Sequence, residues 1–224
     1  MTAVPASTHD AAGHHYTTTG LDHRKIAIWT FIGSECMLFA SLISTYLIYK
    51  GRSRIGPFPH EICNPPSCAT QLNPILNIPI TSASTFVLLM SSLAMVLALA
   101  AVQNKLVPKR TRGERILGSS KLWLWATALL GLTFLGFQAY EFTSFVHEGL
   151  TIRTNLFGSS FFTLTGFHGA HVTAGVIWLL TLLSIDYKRG LGPADALNVD
   201  IAALYWHFVD VVWIAIFTLV YLIK

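Results

Sequence analysis

The chain has 224 residues, 53% of them hydrophobic and only 12% charged, with a formal net charge of +4. Soluble domains of this size carry about a quarter charged residues, so the composition excludes an ordinary water-soluble domain and points to a membrane protein. The modest positive charge gives no reason to invoke nucleic acid, because its distribution follows membrane topology.

Residues 1–25 read as a polar, flexible N-terminal tail rich in His and Thr, with no apolar core or cleavage site of a secretory signal. His9, His14 and His15 could meet a metal adventitiously, but this composition is that of a disordered tail. Residues 26–224 read as one five-helix transmembrane domain, with spans at about 26–49, 80–102, 122–146, 157–183 and 201–223. Each is long enough to cross a hydrocarbon core of about 30 Å. The predicted fold is therefore an all-α membrane bundle, with no internal repeat and no soluble domain.

The first span contains "FIGSECMLFASL", with Glu35 roughly nine residues in, about 14 Å along the axis. Phe31, Leu38, Phe39 and Leu42 share its face, whereas Gly33, Met37, Ala40, Ser41 and Ser44 form a separate stripe of mostly small residues at helix-packing spacing. A carboxyl in such apolar surroundings is expected to be neutral. It would be hydrogen-bonded to a neighbouring helix, act as a proton-relay group, or sit as a carboxyl at a lipid cleft. Cys36 beside it reads as inert packing.

The long connection at 50–79 is broken by proline and glycine. It carries Cys63 and Cys68 in "CNPPSC", for which a disulfide is expected on an oxidising side; a thiol pair or a metal site are the alternatives. The second span has no ionisable group and is rich in Ser and Ala, which reads as close packing. The third ends in "GFQAYEF" with Glu141. The fourth holds "TGFHGAHVTAG", with His168 and His171 three residues apart on one helix face. The fifth opens with "ALYWHFVDVVW", where His207 and Asp210 repeat that spacing. A metal recruiting these four groups is one reading. The other is interhelical hydrogen bonding, with the histidines paired to Glu141, Gln138 or Asp210. Trp123, Trp125, Tyr205 and Tyr221 fall near span ends, where amphipathic rings suit the membrane interface. No nucleophile motif, phosphate loop or dinucleotide fingerprint is present, so no catalytic residue and no metal ligand set are assigned.

Charge sets the expected orientation. With the N-terminus cytoplasmic, the inner segments hold ten of the fifteen basic residues, most of them between 103 and 121. The positive-inside bias thus favours a cytoplasmic N-terminus and an outside C-terminus.

Taken together, "FIGSECMLFASL", "GFQAYEF", "FGSSFFTLTGFHGAHVTAG" and "YWHFVDVVW" resemble subunit III of the haem–copper terminal oxidases, in its short five-helix bacterial form. The resemblance spans about residues 24 to 223. It implies that Glu35 matches the family's carbodiimide-reactive glutamate, and that His168, His171, His207 and Asp210 match its histidine and "WHFVD" motifs. It also implies a non-redox accessory subunit of a proton-pumping cytochrome c oxidase of the aerobic respiratory chain. Such a chain would carry no cofactor of its own and would bind phospholipid. It would pack on a catalytic subunit I that holds haem and copper, beside subunit II, in a bacterial plasma membrane, and support proton uptake by its neighbour. A quinol oxidase, a nitric-oxide reductase-type complex and, from another class, an independent proton channel are the competing readings.

Overall fold

A computed structural model of the chain describes residues 22–50, 77–103 and 119–223. Among them it is entirely helical: α1 (His23–Tyr49), α2 (Ile78–Gln103), α3 (Ser120–His147), α4 (Leu156–Lys188) and α5 (Ala196–Phe217). A 3-10 turn (Pro193–Asp195) leads into α5, and a π-helical turn (Thr218–Leu222) extends it. All five are long and apolar enough to cross a membrane.

Each helix starts before the apolar run that betrays it, by one to five residues. Capping explains two of these starts. The Asp22 carboxylate accepts from the Arg24 backbone N–H at 2.8 Å, and the Asn155 side chain accepts from Gly158 N at 2.6 Å. These bonds satisfy amides that the first turn leaves without partners. At its far end α4 runs to Lys188, past the expected limit at 183. Asp186, fully buried there, accepts from Ser120 Oγ at 2.6 Å and from Leu191 N at 2.8 Å. Hydropathy marks where the bilayer ends, whereas capping and polar contacts decide where the helix ends.

Helices α2, α3, α4 and α5 pack in a ring, α4 and α5 also touch, and α1 leans on the edge formed by α4 and α5. The core is aromatic, with Trp206 at its centre. Its indole lies where side chains would otherwise be: a methyl group added at Gly131 of α3 would come within 2.7 Å of it, and one at Gly175 of α4 within 2.8 Å. The two glycines are thus the socket for one large ring.

The serines and threonines of α2 do more than permit close approach. Trp206 donates its indole N–H to Ser91 Oγ at 2.9 Å, and Trp213 donates to Thr85 Oγ1 at 3.0 Å. The α2–α5 seam is therefore closed by two indole–hydroxyl bonds seven residues apart on α5. Tyr205 and Tyr221, expected at the membrane interface, are instead buried: Tyr205 donates to the His171 carbonyl and Tyr221 to Glu141. Their hydroxyls find acceptors on neighbouring helices, so proximity to a span end did not put them in the interface.

Candidate functional site

Helix α1 turns its bulky stripe inward. Ile28, Phe39 and Tyr46 are buried, and Glu35 lies between them, half-buried against α4. Gly33, Met37, Ala40, Ser41 and Ser44 all face outward. Among the described residues the stripe of small residues is therefore left unpacked. Glu35 faces another helix, which settles the orientation that the wheel left open.

Its partner is His171. Glu35 Oε2 and His171 Nε2 are 3.1 Å apart, and both side chains are about one-sixth exposed, at 16% and 17%. His171 Nδ1 lies 2.8 Å from the Phe167 carbonyl. A carbonyl can only accept, so Nδ1 carries a hydrogen. A neutral imidazole then has only a lone pair at Nε2, and the proton in the contact must come from the Glu35 carboxyl. With that proton on the imidazole instead, the pair is carboxylate and imidazolium. Either arrangement shares a single proton and has no net charge, which suits a site at bilayer depth. The Phe39 ring packs edge-on against His171, with centroids 5.1 Å apart.

His168 is fully buried one turn away, among Phe39, Phe134 and Trp213. Its Nε2 lies 3.3 Å from the Val209 carbonyl, so the N–H donates there, and Nδ1 is left without a partner among the described residues. Gln138 donates its amide N–H to the Thr165 carbonyl at 2.8 Å. Glu141 accepts from Thr81 Oγ1 at 2.7 Å and from the Tyr221 hydroxyl at 3.1 Å, tying α2 and α5 to α3. His207 Nδ1 lies 2.6 Å from Ser92 Oγ. Ser92 also lies beside the buried Asp210 carboxyl.

The expected pairings of the histidines with Glu141, Gln138 or Asp210 are thus replaced by others. His171 takes Glu35, His168 a backbone carbonyl, His207 a serine. The wheel gave the residues of each face but not the neighbour, and short hydroxyl side chains on α2 proved to be partners that sequence spacing does not reveal. The four groups do not converge: His168 and His207 point to different helices. Among the described residues no three His, Cys, Asp or Glu side chains gather as a metal ligand set. Cys36 is exposed on α1, so it is not packing. Cys63 and Cys68, and the histidines of the N-terminal tail, lie outside the described residues.

Polar links also hold the ends of α1. Lys25 Nζ pairs with Asp200 at 2.8 Å, and Arg24 donates to Asn198 Oδ1 at 3.1 Å. At the other end Lys50 donates to the Leu219 and Ile223 carbonyls of the π-helical turn. Partial burial pushes the Lys50 ammonium below its usual range. At the first turn, the Arg24 backbone N–H holds the Asp22 carboxyl below the ordinary carboxylate range.

The fold and these contacts define a class: a helical membrane subunit whose intramembrane ionisable groups mostly link one helix to the next. The sequence profile of cytochrome c oxidase subunit III matches residues 6–224, and the chain belongs to that family. It is 39% identical to cytochrome c oxidase subunit 3 of Bacillus sp. (strain PS3), over 98% of this chain and 95% of that protein. It is 38% identical to quinol oxidase subunit 3 of Bacillus subtilis (strain 168), over 88% of this chain and 85% of the relative. The cytochrome bo(3) ubiquinol oxidase subunit 3 of Pseudomonas aeruginosa is 34% identical, over 87% and 82% respectively.

Proposed function

We propose that this chain is the non-redox third subunit of a proton-pumping haem–copper terminal oxidase of the aerobic respiratory chain. The family match over nearly the whole chain carries the reading. Haem and copper would be held by a catalytic subunit I and by subunit II. This chain would stabilise subunit I, bind phospholipid and support proton uptake next door, in a bacterial plasma membrane. Its N-terminus would face the cytoplasm, as the basic residues between 103 and 121 favour.

Two features support the accessory role. Glu35 and His171 form a partly exposed pair that shares one proton and is neutral overall whichever partner holds it. Between α1, α4 and α5 lies a groove of about 750 Å³. Its walls include Phe31, Trp178, Leu182, Ile201 and Tyr205, with Arg24 also in the lining. Apolar walls with a guanidinium suit an acyl chain and a phosphate headgroup.

The electron donor is proposed to be cytochrome c. A quinol is the second reading, because relatives named for each donor are almost equally similar, at 39% and 38% identity. Affinity purification of the natively expressed chain tests the proposal. A haem-containing, oxygen-reducing complex is expected to accompany it, and dinuclear copper in that complex assigns cytochrome c as donor. Recovery of the chain alone, with the oxidase intact without it, overturns the reading.

A further inference from the structure

Helix α1 buries few side chains, and one of them carries a hydroxyl. Tyr46 is 0% exposed, and its hydroxyl has no hydrogen-bond partner among the described residues. Buried hydroxyls are bonded as a rule, because the water lost on burial must be replaced. Tyr46 lies where α1 meets the end of α5. Lys50, one turn further along α1, donates to the Leu219 and Ile223 carbonyls, which flank Tyr221. The Tyr46 ring tilts against Phe157 at 6.1 Å, Phe157 stacks on Phe161 at 5.7 Å, and Phe161 meets Tyr221 edge-on at 6.3 Å. Tyr46 and Tyr221 are within electrostatic reach of each other.

A second polar atom is left over beside Tyr221. Glu141 is 7% exposed, and its bonds with Thr81 and Tyr221 both fall on Oε1. Its Oε2 bonds to no described residue. Without a proton that oxygen needs a donor, and with one it needs an acceptor, as the Tyr46 O–H does. A water molecule supplies both. It accepts from Tyr46, and its other sites serve Glu141 Oε2 in either state. The Tyr221 oxygen gives its hydrogen to Glu141 and keeps a lone pair for a third bond. Two to four polar partners are what a buried water requires. Tyr46 lies close to the last residue of α1, Tyr49, and Thr81 close to the first of α2, Ile78. The place is therefore about one turn below the end of the bundle, and water has a short way in.

We propose that a single water molecule is bound between Tyr46 Oη and Glu141 Oε2, beside Tyr221, and that it ties α1 to the Thr81–Glu141–Tyr221 knot joining α2, α3 and α5. The site lies within this chain, so the inference stands or falls separately from the oxidase reading.

The test is cryo-electron microscopy of the natively expressed particle, at a resolution that shows ordered waters. A separate density is expected within hydrogen-bond reach, about 2.5–3.0 Å, of both Tyr46 Oη and Glu141 Oε2. A map without that density overturns the proposal. So does a direct bond between Tyr46 and Glu141, or a group from residues 51–76 standing in the same place. Tyr46→Phe, which keeps the ring and removes the hydroxyl, gives a second readout. With the water in place it deletes a hydrogen bond, so the thermal transition should fall and hydrogen exchange in the last turns of α1 should quicken about fivefold. A hydroxyl buried without any partner predicts the opposite sign. A transition that rises or stays unchanged in Tyr46→Phe therefore overturns the proposal as well. Whether a haem protein accompanies the chain is scored separately and bears only on the oxidase reading.

Discussion

Helices α1 and α5 have nearly the same hydropathy, yet only 11% of the most apolar stretch of α1 is buried within the chain, against 56% for α5. Helix α5 is held by shape, with Trp206 socketed between two glycines and indole hydrogen bonds to α2. Helix α1 is held by one bulky stripe and by polar links at intervals: Lys25 and Arg24 at one end, Glu35 in the middle, Lys50 at the other end. In lipid, apolar surface gains nothing from leaving water. Attachment therefore depends on close packing or on polar links, and the two helices use these in opposite proportions.

Mutations can break this contrast. Trp206→Ala empties the socket and should cost about 3–5 kcal/mol, read as a lower thermal transition in detergent. Trp29→Ala, 60% exposed on α1, should leave that transition unchanged. Gly175→Val forces a side chain into the Trp206 ring and should cost about 1–3 kcal/mol. The same change at Gly33, where an added methyl meets nothing within 4 Å, should be neutral for the isolated chain. Thr85→Val removes the acceptor of the Trp213 indole at nearly constant volume. A loss of about 0.6–1.7 kcal/mol is expected from intramembrane hydrogen-bond cycles.

Smaller effects sharpen the picture of α1. Glu35→Gln keeps a hydrogen-bonding group opposite His171, so assembly and oxygen reduction should persist. Glu35→Leu should loosen α1, seen as faster hydrogen exchange in its middle turns. Complete loss of oxygen reduction in an assembled Glu35→Gln complex would refute the non-redox reading. The smallest effect concerns Asp22. Its folded carboxyl is held below the ordinary range, so its capping contribution is full above that range. The contribution fades as pH falls through the lowered value. Hydrogen exchange at Arg24 and Lys25 should accelerate over that acid window alone, and Asp22→Ala should abolish the pH dependence.

Much of the site was legible, but unevenly. Glu35, Glu141, His168, His171, His207 and Asp210 stand out because ionisable residues are rare in apolar runs, and rarity needs no structure to be seen. Trp206 and Trp213 do not stand out in the sequence, since an apolar ring in an apolar span carries no contrast. Ser91, Ser92, Thr81 and Thr85 stand out no more, because short hydroxyl side chains are common in apolar spans, although each is a hydrogen-bond partner of another helix. Gly131 and Gly175 could have been suspected as a socket only with Trp206 already placed.

Composition, run length and motif order by themselves established five membrane-crossing helices and the family, because these depend on local chemistry and on the thickness of a bilayer. Tertiary structure decided which face of each helix meets protein. It turned the bulky stripe of α1 inward and its small stripe outward, drew Tyr205 and Tyr221 into the bundle, and gave Glu35 to His171. Helical periodicity states which residues share a face. It cannot say what that face meets, because in a membrane lipid and a neighbouring helix are equally apolar, and only packing and hydrogen bonds tell them apart.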